Sequence, residues 1–278
     1  MLEGIYHFWF YFPVVMVLVQ FVGGVLARLA TRAGNPVRDY GYEPSVSVLL
    51  PVYNEGEHVM ETIKSILACD WPAEKLEIVA VDDCSADDSW HWLNVAAERW
   101  PQQVRIYRNA VNSGKHVSLS RAHEYSRGEM LICIDSDCIF DRRVVRELVA
   151  CFADPKVGAV GGNIGVSNVN ENVLTMGQTM VYYMSFQFGK MLQNASGHVF
   201  CISGCLFAVR RTLFEQIEAE VKGRNWFGLG VRDGEDRYMT HAIMMRGWKT
   251  IVNPRATCWT AVPSKLSHFF PQQVRWRR

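Results

Sequence analysis

No sign of charge dominates this chain: 29 Lys and Arg stand against 28 Asp and Glu, for a formal net charge of +1. That balance removes the bulk electrostatic case for a nucleic-acid partner, so any chemistry has to come from local sites. Paired cysteines are also missing. The eight cysteines are scattered, and none has the two-residue spacing of a zinc knuckle. They read as reduced thiols, the usage of a cytosolic domain, with Cys133 and Cys138 as small packing hydrophobes beside an acidic motif. There is no repeat of solenoid period and no low-complexity tract. The basic start of a signal peptide is lacking as well, since Glu3 is the one formally charged side chain ahead of the first apolar run.

What is present is apolar. At 49% hydrophobic, 278 residues supply ample core for one large domain or two small ones. Ile5 to Leu26, broken only by His7 and Gln20, is long enough to cross a hydrocarbon core that needs about 20 residues. Arg28, Arg32 and Arg38 follow it, so the positive-inside rule puts the N-terminus outside and the rest in the cytoplasm. On that topology the acceptor-like Asn194-Ala195-Ser196 would not meet the glycosylation machinery. The expected organisation is an N-terminal transmembrane helix over 1–29, a linker rich in Gly, Pro and charge over 30–44, and a cytosolic domain over 45–278.

Within that domain, strand and helix patterns alternate. Ser45–Pro51, Leu76–Val81, Val104–Tyr107 and Met130–Ile134 read as strands; Glu57–Ala68 and Ala86–Trp100 read as helices. Alternation of this kind predicts an α/β fold, a doubly wound, mostly parallel sheet with helices on both faces, whose ligands bind at the carboxyl ends of the strands. The second half is less regular. Val173–Gln193 carries Met and aromatic residues at helical spacing, the mark of a core face or a membrane-interface face.

Polar clusters follow three of the strands directly: Pro51-Val52-Tyr53-Asn54-Glu55, Asp82-Asp83-Cys84-Ser85-Ala86-Asp87-Asp88, and Asp135-Ser136-Asp137. Asp135 and Asp137 would repel unless a proton or cation offset their charge. Mg²⁺ or Mn²⁺ does this with one or two protein carboxylates, filling its shell with water and substrate phosphates, which implies a diphosphate ligand. The alternative is a helix cap at Asp135 and a solvated Asp137. Ser85 and Asp88 fit a capping box for the helix expected from Ala86. Capping leaves Asp82 and Asp83 unexplained, and these can accept hydrogen bonds from a uracil N–H or a ribose hydroxyl. Lys115, after the turn-forming Asn112-Ser113-Gly114, is either a cation near the phosphates or a solvated loop lysine. Asp233-Gly234-Glu235-Asp236-Arg237 opens a helix; helix-start acids are commonly structural, but Asp236, supported by Glu235 and Arg237, is the choice for a base that takes a proton from an attacking hydroxyl. At the end, Gln272, Arg275 and Trp276 are either a juxtamembrane basic cluster or a site where Arg275 meets a leaving diphosphate and Trp276 a sugar face.

In this order, over Ser45 to Arg278, the motifs resemble the processive family-2 glycosyltransferases, the group of hyaluronan, chitin-oligosaccharide, chitin and cellulose synthases. The resemblance implies a GT-A type domain with a nucleotide-binding half at 45–140 and an acceptor-binding half at 141–278. It implies that Tyr53, Glu55, Asp82, Asp83, Lys115 and Asp135 hold the donor, that Asp135 and Asp137 hold Mg²⁺ or Mn²⁺, and that Asp236 is the base. Ser203, Gly204, Gln272, Arg275 and Trp276 would then serve the acceptor and pyrophosphate. Ser203-Gly204-Cys205-Leu206 and Gly234-Glu235-Asp236-Arg237 are similar to the hyaluronan and chitin-oligosaccharide branch, except that Cys205 stands where Pro is expected. The partners implied are a UDP-sugar, N-acetylglucosamine among the donors, a growing β-linked glycan and the bilayer of the plasma membrane. Family members continue into further membrane helices beyond the point that corresponds to Arg278. Three rivals stand beside this reading: a non-processive transferase to a lipid phosphate, a module that binds without turnover, and a haloacid-dehalogenase-type phosphatase with Asp135 as nucleophile. The last wants Thr or Val where Ile139 stands.

Overall fold

The computed structural model describes residues 15–26, 29, 36–222, 225–226, 229–230 and 235–277. Residues 5–14 of the expected membrane span, with Arg28 and Arg32, lie outside them. Residues 15–26 are helical and apolar, with Val17 63% and Phe21 69% exposed. Among the described residues no helix is long and apolar enough to cross a membrane.

The first half of the domain forms as its pattern dictates. Strands β1 (Val46–Val52), β2 (Leu76–Asp82), β3 (Val104–Arg108) and β4 (Met130–Ile134) match the expected strands to within a residue or so. In sheet order β3-β2-β1-β4 they are parallel throughout, with Val48 beside both Ile78 and Ile132. Side chains alternate across a strand, and here both alternating sets are apolar. Val48, Leu50, Ile78 and Ile132 enter one core with helices α1 (His58–Leu67) and α2 (Ser89–Arg99). Leu49, Val79, Val81, Leu131 and Cys133 enter a second core on the opposite face, with helix α3 (Lys115–Tyr125). Helices therefore cover both faces, as the doubly wound reading expects.

Helix α2 starts at Ser89, three residues later than the pattern suggests, because its expected cap is spent elsewhere. Ser85 Oγ accepts the Asn54 N–H at 2.9 Å, and Asp87 Oδ1 accepts from the Ser89 N–H at 3.0 Å. Ser85 and Asp88 thus form no capping box; Asp88 instead accepts from Trp92 Nε1 at 3.0 Å.

The second half turns the sheet into a mixed one. After β5 (Ile139–Phe140), α4 (Val144–Ala150), β6 (Val157–Val166) and α5 (Val173–Tyr183) come a π-helical turn, Met184–Gly189, and the short α6 (Lys190–Asn194). Strand β7 (Leu206–Arg210) then runs antiparallel to both β4 and β6. Helix α7 (Arg211–Lys222), the hairpin β8 (Asn225–Trp226) and β9 (Leu229–Gly230), helix α8 (Glu235–Met245), strand β10 (Lys249–Thr260) and helix α9 (Leu266–Arg277) complete the order. The full sheet reads β3-β2-β1-β4-β7-β6-β10-β5. The eight cysteines are free, and burial pushes the thiols of Cys69, Cys133 and Cys151 up to about 12, which suits inert packing groups.

Candidate active site

Strands β2, β1 and β4 lie side by side and point the same way, so their polar ends open on one edge of the sheet. The β2 end is the most completely bonded. Asp82, fully buried, pairs with Arg108 Nε at 2.9 Å and faces the Ser85 N–H. Asp83 accepts from Asn109 Nδ2 at 2.7 Å, from the Ser113 N–H at 2.9 Å and from the Gly114 N–H at 2.7 Å. The turn read from Asn112-Ser113-Gly114 is therefore a clamp on Asp83, closed by Gly114 at a φ of 92° that suits glycine. Two further loop residues, Asn54 at 56° and Cys84 at 61°, sit in the left-handed region; the asparagine tolerates it better than the cysteine.

At the β1 end Tyr53 is 49% exposed, while Glu55 turns inward and accepts from Ser136 Oγ at 2.9 Å. Burial, with added repulsion from Asp137 and Asp135, holds the Glu55 carboxyl above its ordinary range. At the β4 end Lys115 Nζ contacts Asp135 Oδ1. Asp137 reaches solvent but sits low among neighbours, and Thr260 Oγ1 at the end of β10 donates to its Oδ2 at 3.0 Å. Partial withdrawal from water, then the charge of Asp135, hold the Asp137 carboxyl above its usual range.

Because β7 runs antiparallel beside β4, the segment ahead of β7 is brought to the same edge. Gly204 is the hub there. Its carbonyl accepts from Lys115 Nζ at 3.0 Å, and its N–H donates to Asp236 Oδ2 at 3.3 Å. A Cβ at Gly204 would stand 3.3 Å from Lys115 Nζ and 3.5 Å from the Asp236 Cβ, so a side chain would crowd both. Asp236 also accepts the Arg237 N–H at Oδ1, 2.7 Å, and faces Cys201 Sγ at 3.9 Å. Ser203 stays local, facing the Cys205 N–H at 3.4 Å.

The structure thus brings together Glu55, Lys115, Asp135, Asp137, Gly204 and Asp236, with Asp82 and Asp83 at one flank. It shows no contact that joins Gln272 to this group; the Gln272 Oε1 is buried with no partner among the described residues. The side chains of Glu235, Arg275 and Trp276 lie outside the described residues.

Three residues of the site gave no motif signal. Thr260 bonds Asp137. Tyr182 on α5 has Cys205, Asp137, Cys138 and Asp135 as its charged or titratable neighbours, and burial pushes its hydroxyl well above the ordinary range. Lys190 opens α6 with its Nζ 4.1 Å from the Phe186 ring centre, facing Cys201, Cys205 and Asp236. The run 173–193 was legible as a helix with a buried face, but not as a helix that carries polar groups into the site.

Two carboxylates at a crevice with no third acidic, His or Cys ligand suit a hard divalent ion that takes the rest of its shell from water and phosphate: among the described residues no group of three or more such ligands forms. Lys115 already seats a cation on Asp135, and the raised Asp137 carboxyl marks repulsion that a divalent ion would relieve.

Comparison with known proteins agrees with the geometry. A hyaluronan synthase of Streptococcus pyogenes serotype M3 is 31% identical over 250 residues, 88% of this chain and 58% of that protein. An N-acetylglucosaminyltransferase of Azorhizobium caulinodans is 29% identical over 265 residues, 94% of this chain and 65% of its own length. The chain therefore spans about three-fifths of the length of these curated relatives. Among solved structures, a mannosyltransferase from Pyrobaculum calidifontis in complex with GDP-Man and Mn²⁺ superposes with a TM-score of 0.68 at 24% identity, covering 94% of this chain and 74% of that one, which shows the GT-A fold. The glycosyl transferase family 2 pattern matches residues 47–218, from β1 into α7, and with that match over more than half its length the chain belongs to glycosyl transferase family 2.

Proposed function

We propose that this enzyme transfers a sugar, N-acetylglucosamine among its donors, from UDP to the end of a growing β-linked glycan of hyaluronan or chitin type, with inversion at the anomeric carbon. The observation that carries the reading is the single peptide at Gly204, whose carbonyl side faces the Lys115–Asp135 pair and whose N–H side holds Asp236. A group that handles a diphosphate and a group that takes a proton are thereby set one residue apart.

In this reading the first half of the domain holds the donor and the second half the acceptor. Asp82 and Asp83, at the floor beneath Tyr53, lie where a uridine would rest, and their remaining lone pairs face its N–H and hydroxyl groups. Asp135 and Asp137 would hold Mg²⁺ or Mn²⁺, which offsets charge on the diphosphate when bound. Lys115 adds a second positive charge beside Asp135. Asp236 accepts the proton of the acceptor hydroxyl, which attacks the anomeric carbon of an α-linked UDP-sugar from the opposite face and so leaves a β-linkage. Lack of a side chain at Gly204 keeps the base within reach of both partners. Arg275 and Trp276 are assigned the leaving diphosphate and a sugar face by their motif.

A membrane-side location fits the same reading. Val17 and Phe21 on the N-terminal helix, Met180 and Val181 on α5 and Phe270 on α9 are each 60–69% exposed, an apolar surface suited to a bilayer. Gly24 of the N-terminal helix abuts Phe188 in the π-helical turn, which joins two of these stretches.

The test is UDP release by the membrane-reconstituted protein with Mn²⁺ or Mg²⁺ and single or paired UDP-sugars, followed by sizing of the glycan. Release with UDP-N-acetylglucosamine and growth of a glycan is the expected result. Release without glycan growth, or growth on a lipid phosphate, would replace it with the non-processive reading.

A further inference from the structure

The π-helical turn between α5 and α6 decides which residues of this helical stretch meet the cleft. Tyr182 and Lys190 are eight residues apart. At about 100° per residue, an unbroken α-helix would place them roughly 80° apart around its axis. One extra residue taken up in a π-turn brings the pair back to within about 20°, like positions seven apart. Both side chains consequently face the site, Tyr182 toward Asp135 and Asp137 and Lys190 toward Asp236.

Lys190 is an unusual occupant of that position. Its Nζ rests on the Phe186 ring, and among the described residues no carboxylate lies within ion-pair distance of it. Phe186 itself is buried at 6% exposure. A charge taken out of water normally has a carboxylate partner, because one aromatic face offsets only part of the lost hydration. Burial pushes the Lys190 ammonium below its ordinary range, opposed by Cys201, Cys205 and Asp236. The donor end already has its own cation, Lys115, on Asp135. Lys190 stands on the other side, with the base.

We propose that Lys190 determines acceptor specificity: it receives the carboxylate of a hexuronate at the end of the growing glycan, which makes the product a uronate-containing polymer rather than a neutral one. The assignment rests on the transferase reading above and names its acceptor class. A diphosphate oxygen is the other anion that this ammonium could meet, and the experiment separates the two.

UDP-N-acetylglucosamine is given to the full-length, reconstituted protein with two oligosaccharides, one ending in a hexuronate and one in N-acetylglucosamine, and kcat and KM are measured for each. The wild type is expected to prefer the uronate end. Lys190→Met keeps the stem that packs on Phe186; it is expected to raise KM for the uronate-ended acceptor about tenfold, the loss of one charge-assisted hydrogen bond, and to leave the neutral acceptor within about twofold. Lys190→Arg should restore most of the preference, and UDP affinity by calorimetry should be unchanged in both variants. Equal losses on the two acceptors, weakened UDP binding, or a wild type that does not distinguish the acceptors would overturn the assignment and leave the transferase reading intact. No UDP release with any acceptor would overturn both.

Discussion

The two ends of the cleft are built to different tolerances. At the donor end Asp83 is 4% exposed and held by three donors from one loop, and Asp82 is fully buried against Arg108. At the base end Asp236 keeps a partly open carboxylate on one N–H at 2.7 Å, a second at 3.3 Å and a thiol at 3.9 Å. The contrast teaches that the nucleotide floor is part of the fold, whereas the base is a visitor to the cleft with room to meet a proton. Mutations at the first should disturb stability and binding together, and mutations at the second should disturb turnover alone.

The largest effect expected is at the open end. Asp236→Asn should lower transfer by about 10²–10⁴-fold, the range for loss of a general base, while UDP affinity stays within about twofold; a parallel loss of UDP binding would erase the distinction between the ends. At the closed end, Asp83→Ala strands the Ser113 and Gly114 N–H groups and Asn109, at a cost of about 2–4 kcal/mol in denaturant unfolding, with UDP binding weakened alongside. Unaltered stability with UDP binding lost would show that Asp83 serves ligand rather than fold.

Glu55, between the two ends, sharpens the comparison through pH. Its carboxyl is raised in the folded protein, so folding favours the protonated form: stability from this group is full below the unfolded value near 4.5 and is lost as pH rises through the higher folded value. Glu55→Gln keeps an acceptor for Ser136 and removes that loss. Tm should therefore rise by about 1–3 °C at pH 7 and stay level at pH 3, as scanning calorimetry would show. The smallest effect is in the donor loop itself. Cys84 at a φ of 61° carries a strain that glycine relieves, and Cys84→Gly should stabilise by about 0.5 kcal/mol after the entropy of the unfolded chain and a weak thiol contact to Ala110 are counted. Destabilisation instead would mean that the thiol contact outweighs the backbone strain.

The same contrast explains what could be read from the residues. Parallel strands buried on both faces leave continuous apolar runs, so Val46–Val52, Leu76–Asp82 and Met130–Ile134 announce themselves and the acids that follow them are conspicuous. Helix α3 does not, since Ser118, Ser120 and His123 are among its buried residues and blunt its periodicity. Strand β6 has three glycines at its centre and end, and β10 breaks register between Val252 and Thr257, which erases the alternation that would mark a strand. Asp135, Asp137 and Asp236 stand out as acids at element ends; the roles of Gly204, Thr260 and Lys190 exist only once antiparallel β7, the end of β10 and the re-phased helix converge. A glycine's backbone contacts and a lysine's orientation are tertiary facts with no local spacing to betray them.

The π-helical turn makes chain length, rather than side-chain identity, the setting that aims this helix. Removing one residue from Met184–Gly189 would restore an ordinary helix and swing everything beyond it by about 100°. Lys190 would leave the cleft and the exposed Leu192 would take a new heading, with no amino acid exchanged. In such a segment a single-codon deletion is a rotation, and related chains that differ there by one residue would present different faces to the same glycan.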